Sequence, residues 1–526
     1  MPKAPARTCF PFQWPKGEPA PAGPAKGGIG DLVAALRAGP DGVPDPEGGL
    51  DPLVILRPRA VPARLALWLL DQQVQRYQPT SWEVLDRLTD AYLLTALRAC
   101  RRFPPVVGRR RLVATAALRA LRLSDRLFRD RWRAQTAPPA DWWRRYLETF
   151  RSLGTAHLLA VRCPPLEGGA ALTPHRAAAE LLLRAVANPF AWESELIPHL
   201  ERILAMLAEE VLLFPAASPT AYAEGRPGRF LFDARGDMPP VPPEVFPEVR
   251  PDSPSPHWWI VDTGRALTRI GELQRSLALG VPPARVHPLL AEIPSAPRRI
   301  LLARLEKVLA RRHRRNRFRP EVAAQAHLAV GLEQAVRHCF AHRWSGSRDP
   351  GSLHTNVRLQ SEMGTRAGAA AGALSSCEVV ERSRGGMRLQ SRESSFPVLT
   401  GKVVTLLEEE GHGEDRAEPR IAIARWQQRD PGDGLVQMGL EILNREPQDC
   451  WCRVVSGMAA SLQEHPGILL DTPEGNPFLL VPPGLFRTGA LLTARVDDRD
   501  YPLQLLHLQE EGVHFELIEV RPSAKE

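Results

Sequence analysis

The chain has 526 residues, enough for roughly three to four domains, with 44% hydrophobic and 24% charged residues, which excludes a disordered or fibrous protein. Its formal charge of +8 comes from 68 basic residues, 62 of them arginine; Ala, Pro and Gly are abundant too, so the total reflects compositional bias and only local clusters of arginine carry information. Seven scattered cysteines argue against a disulfide framework, and no stretch reaches 18 apolar residues, so no membrane span is expected.

Residues 1–60 combine many Pro and Gly with one short helical candidate at 29–37 and are expected to be mostly extended or disordered. Residues 1–25 lack the apolar run of a signal peptide, so a cytoplasmic location is expected. Residues 61–215 carry a helical period. Candidate helices run over 63–77, 81–103, 109–134, 141–161, 174–186 and 195–213, with the Thr80-x-x-Glu83 spacing of a capping box opening the second. A bundle or short solenoid is expected, and a protein partner is assigned to this helical region. Residues 216–310 form a Pro-rich connection with short strands at 229–232 and 258–261 and helices near 264–279 and 298–312. The pairs Trp142-Trp143 and Trp258-Trp259 fit core packing or a contact between domains, with a partner-binding surface as the alternative.

From residue 320 the period changes to short strands at 322–330, 377–380, 387–389, 403–407, 421–426 and 436–443. A second set follows at 467–470, 478–481, 491–496, 503–508 and 513–520. Helices first and strands second imply separate domains, and many short strands imply barrels or sandwiches. The fold class is therefore multi-domain α plus β: a helical bundle or short solenoid followed by small β-domains of barrel or sandwich type.

The densest charge cluster is Arg311-Arg312-His313-Arg314-Arg315-Asn316-Arg317-Phe318-Arg319, between a helix and the first strand of the β region. Six mutually repelling arginines fit a solvated helix end, a nucleic-acid patch or a phosphate site. Glu381-Arg382-Ser383-Arg384-Gly385-Gly386 lies between two strands, and Ile421–Trp426 is followed by a strand containing Gly439. In this order the three elements resemble a PilZ domain. That family has an Arg-x-x-x-Arg segment entering a six-stranded barrel, an (Asp/Asn)-x-Ser-x-x-Gly turn, and a late Gly-containing strand that closes the barrel. Arg311 and Arg315, or Arg315 and Arg319, have the arginine spacing; Ser383 and Gly386 match the turn; Glu381 stands at the Asp/Asn position.

The resemblance implies a six-stranded antiparallel β-barrel over 311–447, which leaves 448–526 as a further small β-domain, and a receptor for cyclic di-GMP, with Arg311, Arg312, Arg315, Arg319, Glu381, Ser383 and Gly386 as ligand residues and no other cofactor. The chemistry agrees with that ligand, because arginine forks onto phosphates or the O6/N7 edge of guanine and a carboxylate accepts from its N1/N2 edge. A nucleic-acid binder using Arg311–Arg319 and a ligand-free scaffold are the alternatives. His338 and His342 lack a third ligand nearby in sequence, and Cys450-Trp451-Cys452 is too close for a zinc pair and fits a linker or strand start. Glu408-Glu409-Glu410 fits a solvated turn. No Walker loop, nucleophile elbow or zinc-protease helix occurs, so enzymatic activity is not expected.

Overall fold

The computed structural model describes residues 63–77, 82–101, 109–139, 141–164, 171–216, 227–243, 257–310, 321–338, 374–383, 385–393, 395–408, 419–443, 447–454, 464–470, 475–496 and 499–523. A helical part comes first: α1 Ala63–Tyr77, α2 Trp82–Arg101, α3 Arg109–Arg133, α4 Trp142–Thr155, α5 Pro174–Val186 and α6 Ile197–Leu207. The start of α5 follows from local chemistry. Pro174 occupies the first turn, where no amide is needed, and the Thr173 hydroxyl accepts from the Arg176 amide at 3.2 Å. The Thr80 capping box lies outside the described residues.

The helical run expected to reach Leu213 stops at Leu207. A 3-10 turn, Ala208–Glu210, leads into β1 Leu212–Pro215, which pairs with β3 Trp258–Asp262; β3 pairs in turn with β2 Arg229–Asp233. Pairing of Leu213 with Val261 and of Phe230 with Val261 puts this small sheet against the helices. One core runs from α3 through α5 and α6 to Phe232, Trp259, α7 Gly264–Ala278 and Leu309. The Pro-rich stretch between 216 and 310 thus supplies core residues, because its two aromatic strands have an apolar face to bury. Trp142 and Trp143 are buried, in ring contact with Phe128 and Tyr146, and Trp259 packs edge-on to Phe150 at 4.7 Å.

Short helices α8 Pro283–Val286 and α9 Pro288–Ala291 lead to α10 Ser295–Leu309. Beyond it stand two closed antiparallel barrels of six strands each. The first runs in the order β4-β5-β6-β9-β8-β7, with β4 Glu321–Val330, β5 Ser375–Ser383, β6 Gly386–Ser391, β7 Val403–Glu408, β8 Arg420–Arg429 and β9 Val436–Ile442. The second runs in the order β10-β11-β12-β15-β14-β13, with β10 Pro447–Val454, β11 His465–Leu470, β12 Phe478–Val481, β13 Leu491–Val496, β14 Arg499–Glu511 and β15 Glu516–Pro522. Numbered from their own first strands, the two orders are identical, 1-2-3-6-5-4. Cys450 and Cys452 lie within β10 and face the inside of the second barrel, with their Sγ atoms 3.6 Å apart. The hydrogen bond between them, together with burial, pushes the Cys450 thiol well up, so it is protonated and a poor nucleophile.

The barrels pack outer face to outer face. In the first, Val404, Leu406, Ala422 and Ala424 point inward, while Val403, Ile421 and Ile423 point outward. The outward set meets Ile468, Leu470, Leu480 and Phe515 of the second barrel, with Leu332 and Val336 of the helical turn 332–338 in the same cluster. Both faces of Ile421-Ala422-Ile423-Ala424 are therefore dry, which is why that strand is apolar without alternation.

Candidate functional site

The β5–β6 corner holds the described members of the expected site. A bulge between Val379 and Glu381 shifts the register of β5. The extra residue turns Glu381 to the outer face, opposite Arg388, and Arg382 to the inner face, opposite Met387. Glu381 and Arg388 form an ion pair at 2.9 Å. Arg382 closes the mouth of the barrel on Glu408 of β7, which Arg420 also approaches at 3.4 Å. Glu408, expected in a solvated turn, is thus an ion-paired strand residue with its side chain only 12% exposed. Its neighbours Glu409 and Glu410 lie outside the described residues.

Ser383 faces Gly386 across the corner, and its hydroxyl donates to the Gly386 carbonyl at 3.0 Å. Gly386 has a structural reason of its own: a Cβ there would stand 2.7 Å from the Leu440 carbonyl oxygen of β9. Gly386→Ala is expected to lower stability by about 1–3 kcal/mol, measured by denaturant unfolding, with or without any ligand. An unchanged midpoint would mean that β9 yields easily.

A single row crosses the outer face from this corner. Glu381 pairs with Arg388, Arg388 with Gly439, and Gly439 with Trp426. A Cβ on Gly439 would meet the Trp426 Nε1 at 2.0 Å, so the indole lies across the glycine. A second bulge, between Ala424 and Trp426, frees Arg425 from the ladder. Arg425 reaches Glu441 at 2.6 Å and grips both carboxylate oxygens of Glu510 from the second barrel. Sequence reasoning missed Arg388 and Trp426, because their shared row depends on two bulges that strand patterning does not show.

Arg311, Arg312, Arg315 and Arg319 lie outside the described residues. Of the expected ligand set, the fold brings Glu381, Ser383 and Gly386 to one barrel corner. His338 ends the helical turn 332–338, where burial lowers its pKa; His342 lies outside the described residues. Among the described residues, no cluster of three or more His, Cys, Asp or Glu could hold a metal ion. No described helix is long and apolar enough to cross a membrane.

A second concavity lies in the helical part. A cleft of about 170 Å³ is lined by Trp82, Asp86, Phe128, Arg131, Pro139 and Trp142, among others. A small chamber of about 10 Å³ adjoins it, sharing Asp86 and Trp142 and adding Asp90, Leu93, Leu121, Arg145 and Tyr146, among others. Arg145 bridges Asp86 at 2.9 Å and Asp90 at 3.3 Å. The Arg131 guanidinium stacks over the Trp82 ring, 3.1 Å from its centroid. Burial pushes Asp90 up to about 6, against the opposing pull of Arg145, with Asp86 adding to the rise.

A carboxyl raised by folding is more protonated in the folded chain than in the unfolded one. Stability therefore falls as pH rises from about 4 to about 6, and the cost persists above that window. Asp90→Asn is expected to raise the melting temperature at pH 7 and to change it little at pH 4, read by thermal unfolding at both values. A lower melting temperature at pH 7 would show that the ion pair with Arg145 outweighs the burial.

Residues 43–217 match the family model described as "Cyclic-di-GMP receptor FimW, N-terminal domain". The matched stretch is about a third of the chain and covers α1 to β1, not the barrels. Searches of curated proteins and of solved structures returned no match.

Proposed function

We propose that the chain is a cyclic di-GMP-responsive receptor or adaptor. In this reading the first barrel is PilZ-like and binds the dinucleotide, and the helical region docks a protein partner. The observation that carries the reading is the similarity of residues 43–217 to the N-terminal domain of a cyclic-di-GMP receptor. A closed six-stranded barrel follows, with the Ser383–Gly386 corner at β5–β6 and a Gly439-containing strand beside it, as the resemblance requires.

The ligand bridges the segment Arg311, Arg312, Arg315 and Arg319 to the corner Glu381, Ser383 and Gly386. Arginines take the phosphates and a guanine O6/N7 edge, and Glu381 accepts from the N1/N2 edge. Arg388 competes for Glu381 when ligand is absent and is left to pair with a phosphate when it is bound. The arginine segment joins the helical part to the barrel, so binding shifts the balance between two arrangements of these parts.

Calorimetric titration of the full chain with cyclic di-GMP tests the reading. Saturable binding is expected, and Arg315→Ala and Ser383→Ala are each expected to weaken it by about tenfold or more. No heat from folded protein at high micromolar ligand would sink it. Comparable binding of unrelated oligonucleotides, falling steeply with salt, would replace it with nucleic-acid binding through the same arginines.

A further inference from the structure

The corner that carries Ser383 and Gly386 is joined by an unbroken row of residues to the second barrel. Ser383 is opposite Gly386, Gly386 opposite Glu441, Glu441 opposite Ile423, and Ile423 opposite Val403. The last two belong to the apolar contact between the barrels. Glu441 is on the outer face, its side chain 50% exposed, and Arg425 pairs with it at 2.6 Å. The same guanidinium forks onto both oxygens of Glu510, close to the tip of the β14–β15 hairpin. Burial works against the charge on Glu510, but Arg425, with Arg304 and Lys307 behind it, holds that carboxyl below the usual range. Beyond Glu510 the tip reaches the helical part. Glu511 pairs with Arg299 of α10 at 2.6 Å, Val513 packs against the helical core, and His514 stands 3.8 Å from Glu195. One guanidinium thus stands between the candidate ligand face and a hairpin that touches both the first barrel and the helical part.

We infer that Arg425 is an electrostatic latch, through which an anionic ligand at the Ser383–Gly386 corner regulates the hold of the second barrel on the rest of the chain. The inference rests on the receptor reading above and gives the second barrel its part in it. Gly386 and Arg425 stand on strands two spacings apart, about 10 Å, which is close to the screening length of about 8–10 Å in ordinary buffers. The two phosphates of cyclic di-GMP over the corner therefore attract the Arg425 guanidinium and repel the Glu441 and Glu510 carboxylates. Ligand weakens the grip of Arg425 on Glu510. Coupling between two sites is reciprocal, so Glu510 in turn weakens the ligand.

The test is calorimetry of the full chain with cyclic di-GMP at low salt. Glu510→Gln keeps the shape of the side chain and removes its charge, and it is expected to tighten binding by about fivefold or more. In an Arg425→Gln background the same change is expected to have no effect, because the latch is already open. Glu519→Gln removes a carboxylate of the second barrel that is held by Asn476 and Gln509, outside the Arg425 network, and is expected to leave affinity unchanged. The gain in Glu510→Gln is expected to fade at high salt, where the screening length falls to about 3 Å at 1 M. In the unaltered chain, ligand is expected to speed hydrogen exchange at the hairpin tip, residues 510–516, and in α10. That measurement decides the matter even if Glu510→Gln fails to fold.

Unchanged or weaker binding by folded Glu510→Gln, an equal gain with and without Arg425, or ligand binding that leaves exchange at the tip unchanged would each overturn the latch and leave the barrel reading standing. Absence of any cyclic di-GMP binding by the folded, unaltered chain would overturn the receptor reading and the latch with it.

Discussion

Arg184→Ala is expected to destabilise the helical part by about 3–5 kcal/mol, more than any change at the barrel corner. Arg184 and Asp125 form an ion pair with side-chain exposures of 3% and 1%. Asp125 also lies 3.5 Å from Arg129, and Glu180 lies 2.7 Å from Arg122 and 3.8 Å from Arg184. The network ties α3 to α5 at the centre of the bundle. Truncating Arg184 leaves the buried Asp125 carboxylate with only the more distant Arg129, at 3.5 Å, and Arg122, at 4.0 Å, and taking the nearest partner from a buried charge is what makes such changes costly.

The magnitude belongs to the charge left behind and not to the pair's net worth. The double change Asp125→Leu with Arg184→Met is therefore expected to recover most of the loss. Urea unfolding of the three proteins checks this. A single variant that loses under 1 kcal/mol would mean that solvent enters α3–α5 freely, and a double variant as weak as the single would assign the cost to packing.

Arg304→Ala is expected to be comparably severe, about 3–5 kcal/mol, and to loosen the helical part from the first barrel. Glu193 follows the 3-10 turn Pro189–Ala191 and its side chain is 1% exposed. Arg304, on α10, reaches its two carboxylate oxygens at 2.7 and 2.5 Å, donates to the Ala191 carbonyl at 2.9 Å, and stacks near Trp192. On the other side of Glu193 lies the tight turn into β7. Gly401 has φ +78°, and a Cβ there would stand 2.2 Å from the Glu193 Oε1.

One carboxylate thus joins the helical part, α10 and the barrel. Gly401→Ala is expected to weaken the same joint, through both its left-handed backbone and the collision with an anchored side chain. Hydrogen exchange should report faster exchange in α10 and β7 of both variants, with β10–β15 least affected. Uniformly faster exchange throughout the chain would show global unfolding and no specific joint.

Much of the architecture was legible from patterning. Helical periodicity located α1 and α5 to the residue, and the strands 478–481 and 491–496 likewise, because their apolar periods end at Gly, Pro or polar residues. The order of helices before strands followed from the same pattern. The stretch after Leu207 was misread because Val211, Leu212 and Leu213 are apolar enough for either state; pairing with Val261 and Asp262 decided for a strand. Cys450 and Cys452 could fit a linker or strand start from their spacing alone, and closure of the second barrel placed them inside it.

At the barrel corner, the sequence by itself put Glu381, Ser383 and Gly386 at one connection between two strands, but the strands run further than their apolar residues, so that Glu381 and Ser383 belong to β5 and Gly386 to β6. Only the tertiary structure decided what they face. A bulge at Val379–Glu381 sends Glu381 outward to Arg388 and Arg382 inward to Glu408, and Leu440 of a strand some 50 positions away makes Gly386 necessary. The cleft formed by Asp86, Arg131 and Trp142 was invisible in the sequence for the same reason. Periodicity encodes which face of an element is apolar, whereas bulges and helix packing set which polar groups meet. Those depend on partners far apart in the chain that no local pattern records.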